Sequence, residues 1–273
     1  MLPNFLVIGA MKAGTTSLYR YLREHPQVFM PPEKELHFFA TPERWGRGRD
    51  WYEARFAAAA DGAVAVGEAS PTYAMYPEFA AVPERVAALL PDARLLYTVR
   101  HPIERMRSHY LHQVRRGREH APIERALVAD PRYLDTSRYA LQLERYLDRF
   151  PAERLLVITA EELRDDRVAT VGRALEFLGA DPGLLPPTLD REFHRTAARA
   201  RRPLAAAALR LPGSRALRRL APPALRRLAG RELPSRPARI PPELEARLRE
   251  ELRDDVRRLR AHLGPGFDGW GIG

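Results

Sequence analysis

The chain has 273 residues, 45% of them apolar, and contains no cysteine. This length supports one sizeable core, or a core with a small cap. The lack of cysteine excludes disulfides and thiolate metal sites. The formal charge of +10 predicts affinity for anions such as nucleotides, acidic glycans, nucleic acid or anionic lipid headgroups. No apolar run approaches the roughly 20 residues that span a bilayer, and no leader pattern precedes the first predicted strand, so we expect a cytoplasmic protein.

Short apolar strands alternate along the chain with longer helical patterns. This alternation is typical of an α/β fold, here a P-loop-like open parallel sheet flanked by helices on both faces. The predicted strands are Phe5–Ile8, Ala63–Val66, Leu95–Val99 and Leu155–Ile158. The predicted helices lie near Thr16–Glu24, Glu78–Leu90, Ile103–Arg116, Ser137–Arg149 and Arg167–Leu178. Ligands bind beyond the carboxyl ends of such strands, so we expect the loops Gly9–Thr15, Glu68–Tyr73 and Arg100–Pro102 to meet at one edge.

The sequence changes character after Pro182, where proline pairs separate short pieces rich in arginine and leucine. We therefore expect a single domain with an α/β nucleotide-binding core at 1–181 and an Arg-rich helical cap at 182–273. The pieces around Ala216–Leu220 and Ala224–Leu228 could lie on an acidic membrane or substrate surface. We favour the alternative, in which their leucines pack on the domain. A last amphipathic helix is predicted at Glu243–Leu263.

A loop containing Lys12 and Gly14 follows the first predicted strand and precedes a helix start. Such a loop directs backbone amides and a helix N-terminus at one spot, which suits a phosphate or sulfate. Lys12 is one of only two lysines beside 43 arginines, which favours a specific need for a compact ammonium. A Walker A loop has lysine directly after glycine and before Ser or Thr, whereas Lys12 stands two residues ahead of Gly14. The third predicted strand also ends at Arg100, where a magnesium-dependent transferase would often place an aspartate.

Several motifs together resemble the sulfotransferases that use 3′-phosphoadenosine 5′-phosphosulfate (PAPS), especially their glycosaminoglycan-modifying branch and its bacterial relatives. The run Lys12-Ala-Gly-Thr-Thr-Ser17 is similar to the family's 5′-phosphosulfate loop. The run from Arg100 to Ser108 is similar to its 3′-phosphate motif. Further matches are Glu35-Leu-His-Phe-Phe39, Trp51-Tyr52 and Glu68-Ala-Ser-Pro-Thr-Tyr73.

The resemblance implies a role for each matching residue. Lys12 would contact the bridging and sulfuryl oxygens of PAPS and stabilise charge on the leaving phosphate. Arg100 and Ser108 would hold the 3′-phosphate. The 5′-phosphate would be held by the rest of the loop, namely Ala13, Gly14, Thr15, Thr16 and Ser17. Arg195 and Arg199, in the place of the family's late nucleotide-binding loop, are further donor-binding candidates. Glu68, Ser70 and Tyr73 are candidates for substrate binding.

The candidates for the general base are Glu35, His37, Glu33 and Glu68. In the similar glycosaminoglycan enzymes, a glutamate at the position of Glu35 takes the proton from the acceptor, so Glu35 is the first choice. His37 is the second choice, because its reference pKa suits proton transfer and because the phenol- and steroid-sulfating branch uses a histidine. Glu33 and Glu68 stay open as alternatives, and so does a cluster that only binds substrate. Lys34, the second lysine, is expected on the surface or against the acceptor.

The resemblance implies transfer of a sulfuryl group from PAPS to a hydroxyl, or with less support an amine, of a carbohydrate, glycolipid or secondary metabolite. No metal is required by this hypothesis. Ala69 stands where the glycosaminoglycan enzymes often carry lysine, which weakens the case for a sulfated polysaccharide. The alternatives are a P-loop nucleotide kinase and a basic nucleic-acid-binding protein. The arginines are spread along helices beside glutamates, without aromatic stacking patches, so we expect no nucleic-acid partner.

Overall fold

A computed structural model of the protein describes residues 1–59, 62–186, 189 and 238–272. Its sheet has the strand order β2-β3-β1-β4-β5, and every neighbouring pair is parallel. The strands are β1 Phe5–Gly9, β2 Val28–Phe29, β3 Ala65–Ala69, β4 Arg94–Val99 and β5 Leu155–Thr159. All five residues of the central β1 are buried, as expected for a parallel strand covered on both faces. The predicted open parallel α/β fold is confirmed.

Helices cover both faces of this sheet. They are α1 Thr15–Arg23, α2 Pro42–Trp45, α3 Gly48–Glu53, α4 Val82–Leu89, α5 Pro102–Arg116, α6 Ile123–Ala129, α7 Arg132–Asp135, α8 Tyr139–Leu147, α9 Ala160–Asp165, α10 Arg167–Leu178 and α11 Pro242–Leu263. Leu6 and Ile8 of β1 pack in one cluster with α4, α8 and α11. Phe5 and Val7, which point to the opposite face, pack with α1 and α10. Within the described ranges, no helix combines the length and apolar character needed to cross a bilayer.

The predicted strand boundaries differ most from the structure at the two ends of β3. The second predicted strand, Ala63–Val66, is observed as β3, which begins at Ala65 and continues through Gly67 and Glu68. A Cβ at Gly67 would come within 2.5 Å of Phe5, so the glycine marks the close approach of β1 and β3 instead of a strand end. Strand β2 was not predicted because two residues are too short for a periodic pattern.

The helix predicted from Glu78 begins only at Val82. Pro83 occupies its first turn, where a residue without an amide hydrogen is tolerated. The short helices α2, α3, α6, α7 and α9 were not predicted either, because four to seven residues carry little periodicity.

The predicted C-terminal helix is confirmed as α11, and one buried carboxylate attaches it to the core. Asp255 accepts hydrogen bonds from the amides of Ala140 (3.0 Å) and Leu141 (2.9 Å) at the start of α8. Beyond α11, the Trp270 ring lies 5.9 Å from the Tyr139 ring. The Arg- and Leu-rich part of the predicted cap lies outside the described residues.

Candidate active site

A cavity of about 780 Å³ opens at the carboxyl ends of the central strands. Its walls include Lys12 from the loop after β1, Thr72 from the loop after β3 and Arg100 from the end of β4. The three loops therefore meet at one edge of the sheet, as predicted. Nine cationic side chains line the cavity against three carboxylates. This excess of positive charge favours an anionic ligand.

The loop after β1 directs the N-terminus of α1 into the cavity. Gly14 is the N-cap of α1 and has φ +96°, a left-handed conformation that favours glycine. Gly14, Thr15 and Thr16 all line the cavity, and the first amides of a helix have no acceptor within it. The Ser17 amide, unlike those first amides, has an acceptor in the chain: it donates to the Gly14 carbonyl over 2.9 Å. Hydroxyls, amides and the positive helix end thus surround one point, a suitable place for a phosphate or sulfate.

Ala13 lies on the other side of this loop. Its side chain is fully buried in the core, and its amide donates to the Ala10 carbonyl over 3.1 Å. The structure therefore assigns Ala13 to shaping the loop, and its side chain does not line the cavity. The expected contact of Ala13 with the donor therefore stays a prediction.

Lys12 lies in the most cationic part of the cavity. Burial lowers its pKa to about 8, with further lowering from Arg115, Arg100 and Arg116. A lysine surrounded by cations in this way is stabilised in its charged form when an anion binds beside it.

Arg100 and Ser108 both line the cavity, at the end of β4 and on α5. The Arg100 carbonyl accepts a hydrogen bond from the Tyr139 hydroxyl over 2.7 Å. Helix α5 is held by Arg105, which is fully buried and donates to Ser137 Oγ over 2.6 Å. The sequence did not predict either of these two supporting hydrogen bonds, because each joins residues about 30 to 40 positions apart along the chain.

Glu35 and His37 lie side by side at the same cavity. Both have positive φ angles, 66° and 53°, and their main chains are held by the last residue of β3 and the first residue after it. The Glu35 amide donates to the Ala69 carbonyl over 3.1 Å, and the His37 amide donates to Ser70 Oγ over 3.0 Å. His37 Nε2 lies 3.8 Å from Glu35 Oε2.

The surroundings of Glu35 and His37 lower the pKa of both side chains, but for different reasons. Burial raises the pKa of Glu35, but the Lys34 ammonium, together with His37 and Arg116, leaves that pKa below its usual value. Burial lowers the pKa of His37, and the Glu35 carboxylate offsets this only in part. At neutral pH, Glu35 is therefore an ionised proton acceptor beside a neutral imidazole. His37 Nδ1 is paired with Thr72 Oγ1 at 2.8 Å.

Lys34 is more central than the sequence indicated. Its Nζ donates to Thr16 Oγ1 over 3.2 Å and to Glu35 Oε1 over 3.0 Å, and its side chain is only 16% exposed. Glu33 points elsewhere: its side chain is 53% exposed and lies 3.8 Å from Arg55. Glu33 does not line the cavity.

Glu68, Ser70 and Tyr73 do not line the cavity. Glu68 is fully buried and accepts hydrogen bonds from Tyr52 (2.9 Å), Ser70 (2.6 Å) and Tyr73 (2.6 Å). Ser70 connects this cluster to the His37 amide. These residues therefore lie behind Glu35 and His37, and their contact with substrate stays a prediction. Burial raises the pKa of Glu68, and its three hydroxyl donors counteract the rise only in part.

The sequence analysis missed several cavity residues on α5, among them His112 and Arg116. His112 and Arg116 follow Ser108 at intervals of four, so helical periodicity places all three on one face, and all three line the cavity. Burial, Lys12 and Arg116 lower the pKa of His112 to about 4. The predicted donor contacts Arg195 and Arg199 lie outside the described residues.

The model of the sulfotransferase family matches residues 3–182. Two curated relatives are each 32% identical to the chain: the bifunctional heparan sulfate N-deacetylase/N-sulfotransferase 2 of Bos taurus, over 203 residues, and the heparan sulfate glucosamine 3-O-sulfotransferase 3B1 of Homo sapiens, over 188 residues. These matches cover 67% and 65% of this chain, but only 22% and 46% of the relatives. The chain thus spans less than half the length of either relative.

Solved structures agree with this assignment. A sulfotransferase from Alicyclobacillus acidocaldarius is similar over 99% of both chains, with a TM-score of 0.70 and 29% identity. The sulfotransferase domain from the curacin biosynthetic pathway shares the fold, with a TM-score of 0.53 and 19% identity over 69% of this chain and 77% of that one. The family model matches well over half of the chain, at the residues that build the cavity. The chain therefore belongs to the sulfotransferase family.

Proposed function

We propose that the protein transfers a sulfuryl group from PAPS to a hydroxyl, or with less support to an amine, of a small-molecule or glycan acceptor. One observation carries the proposal: a single cationic cavity joins a helix N-terminus beside Lys12 to a second anion-binding group formed by Arg100 and Ser108. A donor with a 5′-phosphosulfate and a separate 3′-phosphate needs two such groups. The comparisons support this reading and give no support to a kinase or a nucleic-acid-binding protein.

The geometry of the cavity supports the following donor-binding roles. The first turn of α1 and the hydroxyls of Thr15 and Thr16 would hold the 5′-phosphosulfate. Arg100 and Ser108 would hold the 3′-phosphate through charge-assisted hydrogen bonds. In this arrangement Lys12 neutralises charge on the leaving phosphate. The cationic side chains supply the required positive charge, so the proposed mechanism does not call on a metal ion.

Glu35 is the proposed general base. It lines the cavity with Lys12 and is ionised at neutral pH. When bound, PAPS supplies the sulfuryl group: the acceptor oxygen bonds to sulfur, the bond from sulfur to the 5′-phosphate oxygen breaks, and the phosphate keeps the electron pair. The acceptor proton passes to Glu35. His37, held by Thr72 and Ser70, borders the same space and would orient the acceptor.

The names of the relatives favour a carbohydrate acceptor, because they describe sulfation of heparan sulfate and of its glucosamine. Position 69 holds a buried alanine, where similar enzymes often carry a lysine, so that positive charge is absent here. We therefore keep glycolipids and secondary metabolites among the proposed acceptors. A cytoplasmic location also stays a proposal, supported by the absence of cysteine.

Calorimetric titration with 3′-phosphoadenosine 5′-phosphate, ADP and ATP in the presence of EDTA tests the proposed donor site. We expect binding of the bisphosphate at micromolar concentration and much weaker binding of ADP and ATP, because neither carries a 3′-phosphate for Arg100 and Ser108. Preference for ATP would contradict the proposal, as would the absence of nucleotide binding by the folded protein. After binding is established, a screen with sulfur-labelled PAPS identifies the acceptor.

A further inference from the structure

The side chain of Lys34 joins the two halves of the candidate active site. Its Nζ donates to Thr16 Oγ1 over 3.2 Å and to Glu35 Oε1 over 3.0 Å. Thr16 belongs to the proposed donor-binding loop, and Glu35 is the proposed base. With 16% of its side chain exposed, Lys34 is held largely between these two groups.

The main chain around Lys34 is fixed on both sides. The Tyr19 hydroxyl of α1 donates to the Pro31 carbonyl over 2.7 Å, and the Glu35 amide donates to the Ala69 carbonyl over 3.1 Å. The segment is thus tied to α1 at one end and to the last residue of β3 at the other. The lysine side chain itself has a flexible four-carbon stem, so its ammonium can change partners while the backbone stays in place.

We propose that Lys34 couples donor binding to the activation of Glu35. The inference rests on the proposed function and adds a positioning residue to it. Without donor, the ammonium pairs with Glu35, which stabilises the carboxylate and makes it a weaker base. A phosphosulfate seated at Thr16 carries more negative charge than one carboxylate, so the ammonium forms its charge-assisted hydrogen bonds to the donor and releases Glu35. Lys34 keeps its protons throughout and changes only its hydrogen-bond partners.

Several charged or titratable groups face Glu35, and Lys34 acts on it most strongly. His37 lies on the same segment, Lys12 comes from the loop after β1, and Arg116 and His112 come from α5. Of these groups, Lys34 is the one whose hydrogen bond to Glu35 also contributes to the lowered pKa. Withdrawal of Lys34 therefore removes the largest stabilising contribution to the carboxylate, whereas the other cations stay with their own elements.

A titration of the Glu35 carboxyl group tests the coupling without any acceptor. The protein is labelled with glutamate carrying carbon-13 at the side-chain carboxyl, and the Glu35 resonance is assigned from its loss in Glu35→Gln. We expect 3′-phosphoadenosine 5′-phosphate to raise the pKa of Glu35 in the wild type. In Lys34→Met the same ligand should produce a clearly smaller rise, since only direct repulsion by the phosphate remains. Equal rises in the two proteins would overturn the coupling.

Arg55→Met is the matched control, because it also removes a cation from contact with the same segment. Arg55 lies 3.8 Å from Glu33 and has no bond to Glu35, so we expect a ligand-induced rise as large as in the wild type. A rise as small as in Lys34→Met would show a general charge effect and contradict the specific role of Lys34. If the wild type does not bind the bisphosphate at all, the proposed function fails as well, which separates this outcome from failure of the coupling alone.

A second measurement uses binding affinity and tests the same coupling by reciprocity. If Glu35 competes with the donor for Lys34, then Glu35→Gln should tighten binding of the bisphosphate severalfold in the wild-type background. The same substitution in Lys34→Met should have a much smaller effect, because there is no ammonium to release. Calorimetry on the two single variants, the double variant and the wild type gives this cycle directly. Additive effects of the two substitutions would overturn the proposal.

Discussion

Lys12 has an ammonium that is easier to deprotonate than that of an ordinary lysine, and this predicts pH-dependent donor binding. Its pKa of about 8 in the donor-free site follows from burial and three nearby arginines. A bound phosphate favours the charged form and so raises the pKa. Below pH 8 the lysine is already protonated when the ligand arrives. Above pH 8 binding must take up a proton, so affinity falls as pH rises, by at most about tenfold per pH unit for one proton.

Calorimetry of 3′-phosphoadenosine 5′-phosphate binding between about pH 7 and pH 9 checks this expectation. Repeating the titrations in buffers of different ionisation enthalpy gives the number of protons taken up, which should rise from near zero toward one across that range. Lys12→Met should bind more weakly and show no such change. Proton uptake that persists in Lys12→Met would assign the effect to another group.

Substitution of Glu35 and His37 discriminates between the two candidate bases. Glu35→Gln keeps the shape of the side chain and removes proton acceptance, so we expect turnover with an identified acceptor to fall by roughly a hundredfold or more. Donor binding should not weaken. His37→Asn should raise the KM for the acceptor more than it lowers kcat, because His37 orients and does not accept the proton. The opposite pattern would identify His37 as the base.

The buried cluster around Glu68 shows how one element supports another. Glu68 lies on β3, while its hydroxyl partners Tyr52 and Tyr73 come from α3 and the turn after β3. Glu68→Ala would leave three buried hydroxyls without their acceptor. Since an unsatisfied buried polar group costs about 1–3 kcal/mol, we expect the free energy of unfolding to drop by about 3 kcal/mol or more.

Urea denaturation measures this loss. The matched variant Tyr52→Phe removes one of the three donors together with its hydroxyl, so it should cost only about 1 kcal/mol. Both variants should retain binding of 3′-phosphoadenosine 5′-phosphate when folded, because the cluster lies behind Glu35 and His37 and away from Arg100. An equal loss of stability in the two variants would show that Glu68 is not the shared acceptor in solution.

The elements that sequence alone predicted are those whose pattern is local. β1, β4 and β5 are apolar runs, and the loop with Lys12 and Gly14 carries its own signature. The boundaries of β3 were wrong because Gly67 and Glu68 resemble a strand end, although Phe5 packs over the first and three hydroxyls satisfy the second.

The contacts around the candidate base could not be predicted in the same way. Nothing in the sequence predicts the positive φ angles of Glu35 and His37, because residues that carry a Cβ rarely adopt them. The reach of Lys34 to Thr16 depends on the packing of α1 against the segment that contains Pro31. The sequence thus predicted the motifs that line the cavity, whereas the arrangement proposed to activate Glu35 could be seen only in the folded structure.

At the scale of the whole molecule, the cavity where the donor is expected to bind carries an excess of cations. Nine cations against three carboxylates line the cavity. On the exposed side of α11, arginines such as Arg257 pair with a nearby acid, here Asp254. A cleft with an excess of cations attracts anions over several ångströms, and salt screens that attraction. Raising the ionic strength from about 0.01 M to about 0.15 M shortens the screening length from about 30 Å to about 8 Å. We therefore expect binding of 3′-phosphoadenosine 5′-phosphate to weaken by roughly tenfold over this range.

Variants of two arginines distinguish the effect of the cavity's own charge from the effect of the protein's net charge. Arg116 lines the cavity and lies close enough to Lys12 to lower its pKa, whereas Arg257 is exposed on α11 beside Asp254. Arg116→Gln and Arg257→Gln change the net charge equally. We expect Arg116→Gln to weaken donor binding and flatten its dependence on salt, because the charge removed is one the ligand experiences. Arg257→Gln should behave as the wild type in the same calorimetric series. If both variants flattened the salt dependence alike, the attraction would arise from the total charge of the molecule and not from the cavity.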